Sequence, residues 1–445
     1  MLTCTYLPWC DVGTTSYVCV RHPGEAGANP ALTRNREPPS VMYLGSKSEH
    51  LADASGSSRR GLRGGVRTQS FGSLRAYRLQ VAIERFFMFP RFRHGVLAAL
   101  VASCIAFGVP SAPALAVSAE ASHSDTGLFG AADPTYDGVL RQSYALIGLT
   151  TFGVEPPESA VSWLLKQQCA SGAFMAYRTG SCTAADLTTY TGTDSNSTAV
   201  AAIALGAVGE FRASHAAVRW LVGSQRADGG WPWLAGLASD PVSTGLVMQA
   251  LRAHDGDSKS LRTAIRRGAA WIRDRVADCS VSRNHFGGLG FSEQSVPDGF
   301  STAAALIGFT GPLTALSPTQ TQAAPSAQCS RDVGAAGAMS RFLVSSLTRN
   351  NGAIPGLMDA SQPDWNATAF TIIALRNAGF GNASMQAATR LLLRNVNDYI
   401  LSGGDTMPAA IGTLLLVARA TDNSPRAFGP QRINLISRLL GTQRP

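Results

Sequence analysis

The stretch Asp194-Ser-Asn-Ser-Thr198, which an apolar run follows, is the first of four copies of one pattern. Each copy has an Asp, three further residues, a Thr, and then an Ala-, Leu- and Ile-rich segment that ends near a Gly. The other copies are Asp240-Pro-Val-Ser-Thr244, Asp298-Gly-Phe-Ser-Thr302 and Asp364-Trp-Asn-Ala-Thr368, so successive Thr residues are 46, 58 and 66 positions apart. Internal repetition on this scale is typical of stacked supersecondary units. The pattern therefore predicts a repeat architecture.

The segments around these copies have apolar residues at i, i+3, i+4 and i+7, separated by Gly, Pro and Asn, and no convincing period-2 strand is present. This periodicity predicts an all-α domain of about a dozen helices in sequential pairs. The predicted helices cover residues 138–152, 157–168, 195–207, 213–224, 241–254, 259–277, 299–310, 334–347, 365–378, 383–399, 407–420 and 430–440.

The two helices of a pair differ in character. Each repeated Asp is expected to cap the first helix, because its carboxylate accepts backbone N–H bonds and complements the helix dipole. The run at 198–205 is apolar on almost all sides, which predicts a buried inner helix. The segment Val218-Arg-Trp-Leu-Val222 has one apolar face, which predicts an outer helix. Alternating inner and outer helices imply curvature, and enough pairs close a ring.

A second motif follows the outer helices. It is clearest in Gln225-Arg-Ala-Asp-Gly-Gly-Trp231 and recognisable in Gln168-Cys-Ala-Ser-Gly-Ala-Phe174, and it degrades near residues 288–291 and 348–354. Gly permits a left-handed turn at the helix end, Gln can bond exposed backbone groups, and the aromatic ring covers the turn. The residues assigned to this structural motif are Gln168, Gly172, Phe174, Gln225, Gly229 and Trp231.

This combination resembles the α/α-toroid superfamily, which includes protein prenyltransferase β-subunits, squalene and oxidosqualene cyclases, and the helical domains of cobalamin carriers and complement-type proteins. The looser copies extend the resemblance over about residues 135–420. The resemblance implies an α6/α6 barrel of about five to six helical hairpins, with a ligand or substrate at its mouth or centre. Activity does not follow from such a fold.

The catalytic signatures of the enzymes in this superfamily are not recognisable in the sequence. The Asp-x-Asp-Asp motif of the cyclases is absent, since Asp255-Gly-Asp257 has no adjacent third acid and is interpreted as a polar loop. Asp278, Cys279 and His285 have the wrong spacing for the prenyltransferase zinc set. No nucleophile elbow, His-Glu-x-x-His motif or phosphate-binding Gly loop occurs. We therefore expect no metal and no cofactor, and we favour a protein that is not an enzyme.

A closed ring would gather the repeated aspartates at one rim, together with amide and aromatic neighbours that suit a polar organic ligand. The candidate ligand-binding residues are Asp194, Asn196, Asp240, Asp298, Phe300, Asp364, Trp365 and Asn366. The leading hypothesis is noncatalytic binding of a small molecule, glycan or protein, as in the secreted cobalamin carriers. The alternatives are a toroid enzyme that acts on an isoprenoid or polysaccharide through rim carboxylates, and a purely structural module. Helix capping alone also explains these aspartates.

The N-terminal region has a different composition. Residues 1–87 are rich in Arg, Gly and Ser and are predicted to be disordered. Residues 88–116 have a basic start, an apolar core and the small-x-small sequence Ala114-Leu-Ala116, which together indicate a secretory signal peptide and suggest Met88 as the initiator. A linker at 117–134 and the toroid at 135–445, with a Pro/Ser/Thr/Gln-rich loop at 312–328, follow. The alternatives are an uncleaved membrane anchor or a lipid tether at Cys104.

If the protein is exported and cleaved after residue 116, the net charge of +9 does not describe the mature chain. From residue 117 onward there are 25 Lys and Arg against 23 Asp and Glu, so most of the positive charge precedes the toroid, and nucleic-acid binding is not expected. Arg outnumbers Lys by 35 to 3, which indicates GC-rich, bacterial coding. The mature chain is expected to have no transmembrane span. Its four cysteines predict disulfides, with Cys169–Cys182 and Cys279–Cys329 as one of three possible connectivities.

Overall fold

The structure, a computed structural model, describes residues 2–5, 18–21, 125–254, 258–313, 333–357 and 359–445. The chain divides into two compact units, Met1–Thr68 and Gln69–Pro445. In the first unit, β1 (Leu2–Thr5) and β2 (Val18–Arg21) pair antiparallel. The predicted signal peptide, the rest of the predicted disordered segment and most of the predicted loop at 312–328 lie outside the described residues.

Helices dominate the described part of the second unit. They are α1 (Gly138–Thr151), α2 (Glu158–Gln167), α3 (Ser195–Ala207), α4 (Phe211–Gly223), α5 (Pro241–Ala253), α6 (Lys259–Arg273), α7 (Gly299–Thr310), α8 (Ala335–Arg349), α9 (Trp365–Ala378), α10 (Asn382–Arg394), α11 (Val396–Ile400), α12 (Pro408–Ala420) and α13 (Leu435–Leu440). Short antiparallel pairs join some of them: β3 (Phe174–Met175) with β4 (Thr193–Asp194), β5 (Ile354–Pro355) with β6 (Pro363–Asp364), and β7 (Leu401–Ser402) with β8 (Asp405–Thr406).

Most of these bounds lie within a few residues of the predicted ones, and the differences have local causes. The helix predicted at 383–399 is two helices, because Asn395 leaves the helical conformation, with φ −115° and ψ 30°, and its side chain donates to the carbonyl of Leu391 at 2.8 Å. The helix predicted from residue 430 begins at Leu435, where the side chain of Asn434 accepts the backbone N–H of Ser437. The helix predicted at 259–277 ends at Arg273.

Among the residues that the structure describes, six helices form a closed inner ring: α1, α3, α5, α7, α9 and α12. Each packs on the next one in the chain, and α12 packs on α1. The helices α2, α4, α6, α8, α10 and α13 lie outside the ring, and each packs on the inner helix that precedes it. The all-α, α6/α6 toroid predicted from the sequence is confirmed, with six helical hairpins.

The packing follows the two sequence patterns of the helices. Every residue of α3 from Ser195 to Leu205 is buried, as expected for a helix with neighbours on all sides. In α6 only one face is buried, and this face includes Leu261, Ile265 and Trp271. The inner helices approach closely through glycines, since a Cβ on Gly412 of α12 would lie 2.2 Å from the carbonyl oxygen of Tyr144 in α1.

Each repeated Asp is the N-cap of an inner helix. The side chains of Asp194, Asp240, Asp298 and Asp364 accept the backbone N–H three residues later, at 2.7–2.8 Å. The hydroxyls of Thr198, Thr244, Thr302 and Thr368 accept the backbone N–H of Phe174, Trp231, Leu289 and Ile354 at 2.9–3.0 Å. The Asp-x-x-x-Thr pattern thus caps a helix and ties it to the turn before it.

The Gln of the second motif links neighbouring outer helices. The side-chain amide of Gln225 donates to the carbonyl of Gly229 in its own turn at 2.8 Å and to that of Ala264 in α6 at 2.9 Å. Gln168 makes the equivalent pair of bonds at 3.0 and 2.8 Å. These bonds fix the spacing between successive hairpins.

The Gly and the aromatic residue complete the same turns. Gly172 and Gly229 have φ values of +91° and +96°, a conformation that other residues rarely adopt. The rings of Phe174 and Trp231 are fully buried. The indole N–H of Trp231 donates to the carbonyl of Leu221 at 2.7 Å, so this large side chain leaves no polar atom unpaired.

The ring is closed by pairing between residues 127–130 and 442–444. The backbone N–H of Gly130 donates to the carbonyl of Thr442 at 2.8 Å, and that of Arg444 donates to the carbonyl of Leu128 at 2.8 Å. Phe129, which is fully buried, lies opposite Gln443 in an antiparallel bridge. The segment before the first inner helix is therefore paired with the segment after the last outer helix.

The cysteines are partly described. Cys169 and Cys182 form the predicted disulfide. Cys279 is also in a disulfide, and Cys329 lies outside the described residues, so its pairing stays a prediction. Among the residues that the structure describes, none of the helices combines the length and the hydropathy that a membrane span requires.

Candidate functional site

The N-termini of the inner helices share one rim of the toroid. Because an outer helix returns the chain between consecutive inner helices, the inner helices run in the same direction. Their N-cap residues are Asp137, Asp194, Asp240, Asp298, Asp364 and Met407. The rim predicted to gather aspartates therefore also contains Asp137, which precedes the four repeat copies.

Two neighbouring helices in this ring depart from the repeat pattern. In α1 the N-cap is Asp137, but Arg141 takes the place of the Thr and Asp137 makes no capping bond. In α12 the N-cap is Met407, which has no capping oxygen. The Asp cap and the Thr hydroxyl of the regular copies are thus both absent from α1 and α12. A cavity lies where these two helices meet.

The cavity has a volume of about 180 Å³ and lies between the N-terminal halves of α1, α9 and α12, with α11 at one side. Its lining is mixed, with acidic, aromatic and aliphatic side chains. The residues with functional groups or rings are Asp137, Arg141, Tyr144, Asp364, Trp365, Asn366, Phe370, Asp398, Tyr399, Ser402 and Thr413.

Arg141 is a buried cation whose guanidinium is paired with groups of the protein. Its side chain is 1% exposed, and one Nη atom lies 2.7 Å from Oδ1 of Asp137. Its guanidinium also donates to the carbonyls of Ala132 at 3.0 Å and Asp133 at 2.6 Å. These bonds compensate for burying the charge and orient the carboxyl group of Asp137 at the edge of the cavity.

Two buried polar atoms of the lining have no hydrogen-bond partner within the protein. They are Oδ2 of Asp137 and the hydroxyl of Tyr144. Tyr144 is only 4% exposed, and its ring meets that of Phe370 edge to face, with the centroids 6.0 Å apart. Buried polar groups are paired in most proteins, and these two atoms belong to residues that line the cavity, so a bound molecule would supply the partners that they lack.

Another part of the lining comes from α9 and α11. The hydroxyl of Tyr399 donates to the side-chain oxygen of Asn366 at 2.9 Å. Asp364 caps α9 through the N–H of Ala367 at 2.7 Å, and Trp365 is half-buried beside it. This part of the lining combines a carboxylate, an amide and an indole ring within three consecutive residues.

Burial perturbs the acids of this rim. It raises the pKa of Asp137 and of Asp364 to about 6. For Asp137 the positive charge of Arg141 lowers the pKa and so offsets part of the effect of burial. The pKa of Asp298 is also raised to about 6, chiefly by burial and in part by the charge of Asp364. Near neutral pH these carboxyl groups can therefore change protonation when a ligand binds.

The predicted site residues fall into three groups. Asp364, Trp365 and Asn366 line the cavity. Asp298 and Phe300 lie beside it: the charge of Asp364 acts on Asp298, and the ring of Phe300 packs edge-on against Phe370 at 5.8 Å. Asp194, Asn196 and Asp240 do not line the cavity and are buried among the regular repeats.

Sequence reasoning missed Asp137, Arg141, Tyr144 and Tyr399. The segment Asp137-Gly-Val-Leu-Arg141 has the Asp of the repeat and the correct distance to a long apolar run, but it lacks the Thr. A search for imperfect copies would have found it. Nothing local in the sequence indicates Tyr399, which reaches the cavity because α11 packs against α9 and α12.

One other polar contact, between Ser214 and His254, is closed to substrates. Ser214 and His254 lie 2.5 Å apart, Oγ to Nε2, but Ser214 is fully buried and also lies 2.6 Å from the carbonyl of Ala202, so no substrate reaches it. In the described part of the chain, no three His, Cys, Asp or Glu side chains cluster in a way that could hold a metal ion.

The ring and its rim cavity define an α/α-toroid protein. Its similarity to solved structures is distant. Type II terpene cyclase MstE from Scytonema has 15% identity and a TM-score of 0.37, over 66% of this chain and 75% of that one. A sugar epimerase from a ruminal bacterium has 10% identity and a TM-score of 0.41, over 67% of this chain and 94% of that one. No protein-family model and no curated protein matches the sequence.

Proposed function

We propose that this toroid binds a small polar organic molecule, such as the end of a glycan, noncatalytically in the rim cavity. The observation that carries the proposal is the pair of buried, unpaired atoms in residues of the cavity lining, Oδ2 of Asp137 and the hydroxyl of Tyr144. Leaving such an atom unpaired costs about 1–3 kcal/mol. A ligand with hydroxyl or amine groups would recover this cost when it bonds to them.

The size and lining of the cavity support a small ligand. A volume of about 180 Å³ is below the roughly 300–1,000 Å³ of pockets for drug-sized molecules. It suits one ring or one end group of a larger molecule. Trp365 and Phe370 supply apolar surface, while Asn366 and Asp364 supply polar groups that fix an orientation. A protein partner would have to insert a single side chain.

The first experiment combines native mass spectrometry of the purified protein with calorimetric titration of the copurified molecule or, failing one, of glucose. Tyr144→Phe is the diagnostic variant, because it removes the hydroxyl and keeps the ring. We expect it to weaken binding about tenfold. Its midpoint of thermal unfolding should stay the same or rise, because a buried unpaired hydroxyl is lost.

Tyr190→Phe is the matched control. Tyr190 stacks on Trp233, with ring centroids 6.2 Å apart, and does not line the cavity. Its affinity should equal that of the unaltered protein. If Tyr144→Phe and Tyr190→Phe bind equally well, the proposal that the cavity is the binding site is wrong.

A catalytic use of the same cavity is the second candidate. It is favoured by two carboxyl groups, Asp137 and Asp364, whose pKa values of about 6 would let one act as an acid and the other as a base near neutral pH. Incubation with isoprenoid diphosphates and with oligosaccharides, followed by mass spectrometry of the products, tests it. A turnover that Asp137→Asn and Asp364→Asn each abolish would replace the noncatalytic proposal.

We further propose that the protein is secreted by a bacterium. The Cys169–Cys182 disulfide supports an oxidising compartment, and the composition of residues 88–116 supports export. Mass spectrometry of the protein from the culture medium tests this. A mature N-terminus near residue 117 is expected, and a protein that is retained in the cytoplasm with reduced cysteines would contradict the proposal.

A further inference from the structure

The charges around the cavity point to one class of ligand. Asp137, Asp364 and Asp398 line it, and the cation among the lining residues is Arg141. Each of the three nitrogen atoms of the Arg141 guanidinium already donates to an acceptor of the protein. The guanidinium therefore already bonds to acceptors within the protein. An anionic ligand would lie beside carboxylates and would have no other cation of the lining to pair with.

Aromatic rings accompany these carboxyl groups. Trp365, Tyr144, Phe370 and Tyr399 line the same cavity. The faces of such rings carry negative electrostatic potential and attract organic cations, most strongly for Trp and in surroundings that exclude water. Acidic oxygens and aromatic faces on one small cavity complement a positively charged group.

We propose that the ligand of the rim cavity is an organic cation, an ammonium group carried on a polar molecule such as an amino sugar or a choline-like alcohol. Oδ2 of Asp137 is the counter-ion, because it is buried and unpaired. Trp365 supplies an aromatic face, and the hydroxyl of Tyr144 bonds to a polar group of the ligand. This inference rests on the proposed binding function and specifies its ligand.

The protonation of the rim acids supports this choice. Burial raises the pKa of Asp137 and Asp364 to about 6, so the protein alone does not fully compensate their negative charge. A cation in the cavity favours the ionised carboxylate. Binding of a cation near pH 6 should therefore release protons, whereas binding of an uncharged molecule should not.

The test uses calorimetric titration with choline and with its uncharged isostere, in which a carbon replaces the nitrogen. We expect choline to bind about tenfold more tightly. Repeating the choline titration in buffers of different ionisation enthalpy near pH 6 should reveal proton release. Asp137→Asn should remove most of the preference for choline and most of the released protons.

Asp240→Asn is the control, because Asp240 caps a helix in the same way as Asp364 and does not line the cavity. It should keep the preference for choline. Equal affinity for choline and the isostere, or a preference that survives Asp137→Asn, would overturn the inference. If glucose or the isostere binds in a Tyr144-dependent manner while choline does not, the binding function stands and the cationic ligand is wrong.

Discussion

Arg141 and Asp137 form an ion pair across one turn of α1 in which one carboxylate oxygen receives both contacts. Oδ1 of Asp137 lies 2.7 Å from one Nη atom and 3.0 Å from Nε, while Oδ2 has no partner within the protein. Arg–carboxylate pairs frequently use both oxygens in a bidentate arrangement, and this pair does not. The unused oxygen is consistent with a pair that holds a carboxyl group ready for a ligand.

Removing one partner of this pair should be costly. Arg141→Met leaves a buried carboxylate and the carbonyls of Ala132 and Asp133 without their donor, and we expect a loss of about 3–5 kcal/mol of unfolding free energy, measured by urea denaturation. The double variant Arg141→Met with Asp137→Asn should lose less than the single variant, because the charge is removed with its partner. If it loses as much as or more than Arg141→Met, the pairing does not explain the burial of Arg141.

The close contact between α1 and α12 should not tolerate a methyl group. Gly412→Ala places a Cβ about 2.2 Å from the carbonyl oxygen of Tyr144, so the helices must separate at a cost of about 1–3 kcal/mol. Gly223→Ala is the control, because no atom lies within 4 Å of a Cβ there. It should be neutral or stabilise α4 by up to about 1 kcal/mol. Equal midpoints of thermal unfolding for the two variants would contradict the packing described.

The Thr of the repeat should matter through its hydroxyl. Thr302→Val removes the acceptor for the backbone N–H of Leu289 at 2.9 Å, and a buried N–H without a partner costs about 1–3 kcal/mol. In Thr310→Val the lost hydroxyl donates within its own helix, to the carbonyls of Leu306 and Ile307, and the cost should be below about 1 kcal/mol. Urea denaturation of both variants measures the two losses of unfolding free energy. Comparable losses would show that the bond between Thr302 and the N–H of Leu289 contributes no more than a hydroxyl bond within a helix.

The buried cap Asp194 should make stability depend on pH. Burial raises its pKa from 3.8 to about 7 in the folded state. The folded protein therefore holds this proton more tightly than the unfolded chain, and the stability that the proton contributes is present at low pH and lost as the pH rises through about 7. Asp194→Asn removes this dependence and retains an oxygen for the cap.

The stability of the unaltered protein relative to Asp194→Asn should thus fall between about pH 4 and about pH 8, as measured by urea denaturation at both values. Asp186→Asn is the control: hydrogen bonds from Thr188 lower the pKa of Asp186 to about 2, below this window. Its stability relative to the unaltered protein should stay constant over the same range. A constant difference for Asp194→Asn would mean that Asp194 is ionised at all these values.

The disulfide should stabilise the loop between α2 and α3. Cys169 and Cys182 are 13 positions apart, and closing a loop of that length in the unfolded chain is worth about 3 kcal/mol. The double variant Cys169→Ala with Cys182→Ala should unfold at a lower urea concentration under oxidising conditions. Asp186 and Thr191 form an antiparallel bridge in the same loop, and a difference below about 0.5 kcal/mol would indicate that this bridge orders the loop without the disulfide.

The sequence predicted the toroid well because the repeat encodes its own geometry. Helix capping by Asp194 and its three counterparts, and buried apolar runs such as residues 198–205, are local signals that tertiary packing does not override. Boundaries failed where a single polar side chain decided them, as Asn395 does between α10 and α11. This bond joins residues only four positions apart, but the spacing of apolar residues carries no information about it.

The candidate site was predicted only in part, because the prediction relied on regular copies of the repeat and part of the cavity lining belongs to irregular ones. Asp364, Trp365 and Asn366 belong to a regular copy, and they line the cavity. Asp137 and Arg141 belong to a copy without the Thr, and Met407 is at the position of the Asp in α12. The regular copies of the motif build the ring, and the cavity occurs where neighbouring copies depart from it.

The pairing of residues 127–130 with 442–444 also governs how the barrel can form. Arg444 bonds to Gly130 across 314 positions of sequence, so this contact requires the closure of a very long loop and contributes nothing until the last hairpin is present. Until that moment the hairpins form an open arc, and the flank of α1 that α12 covers is exposed to water. During synthesis the chain therefore passes through a state with an exposed apolar helix flank, and such states favour aggregation.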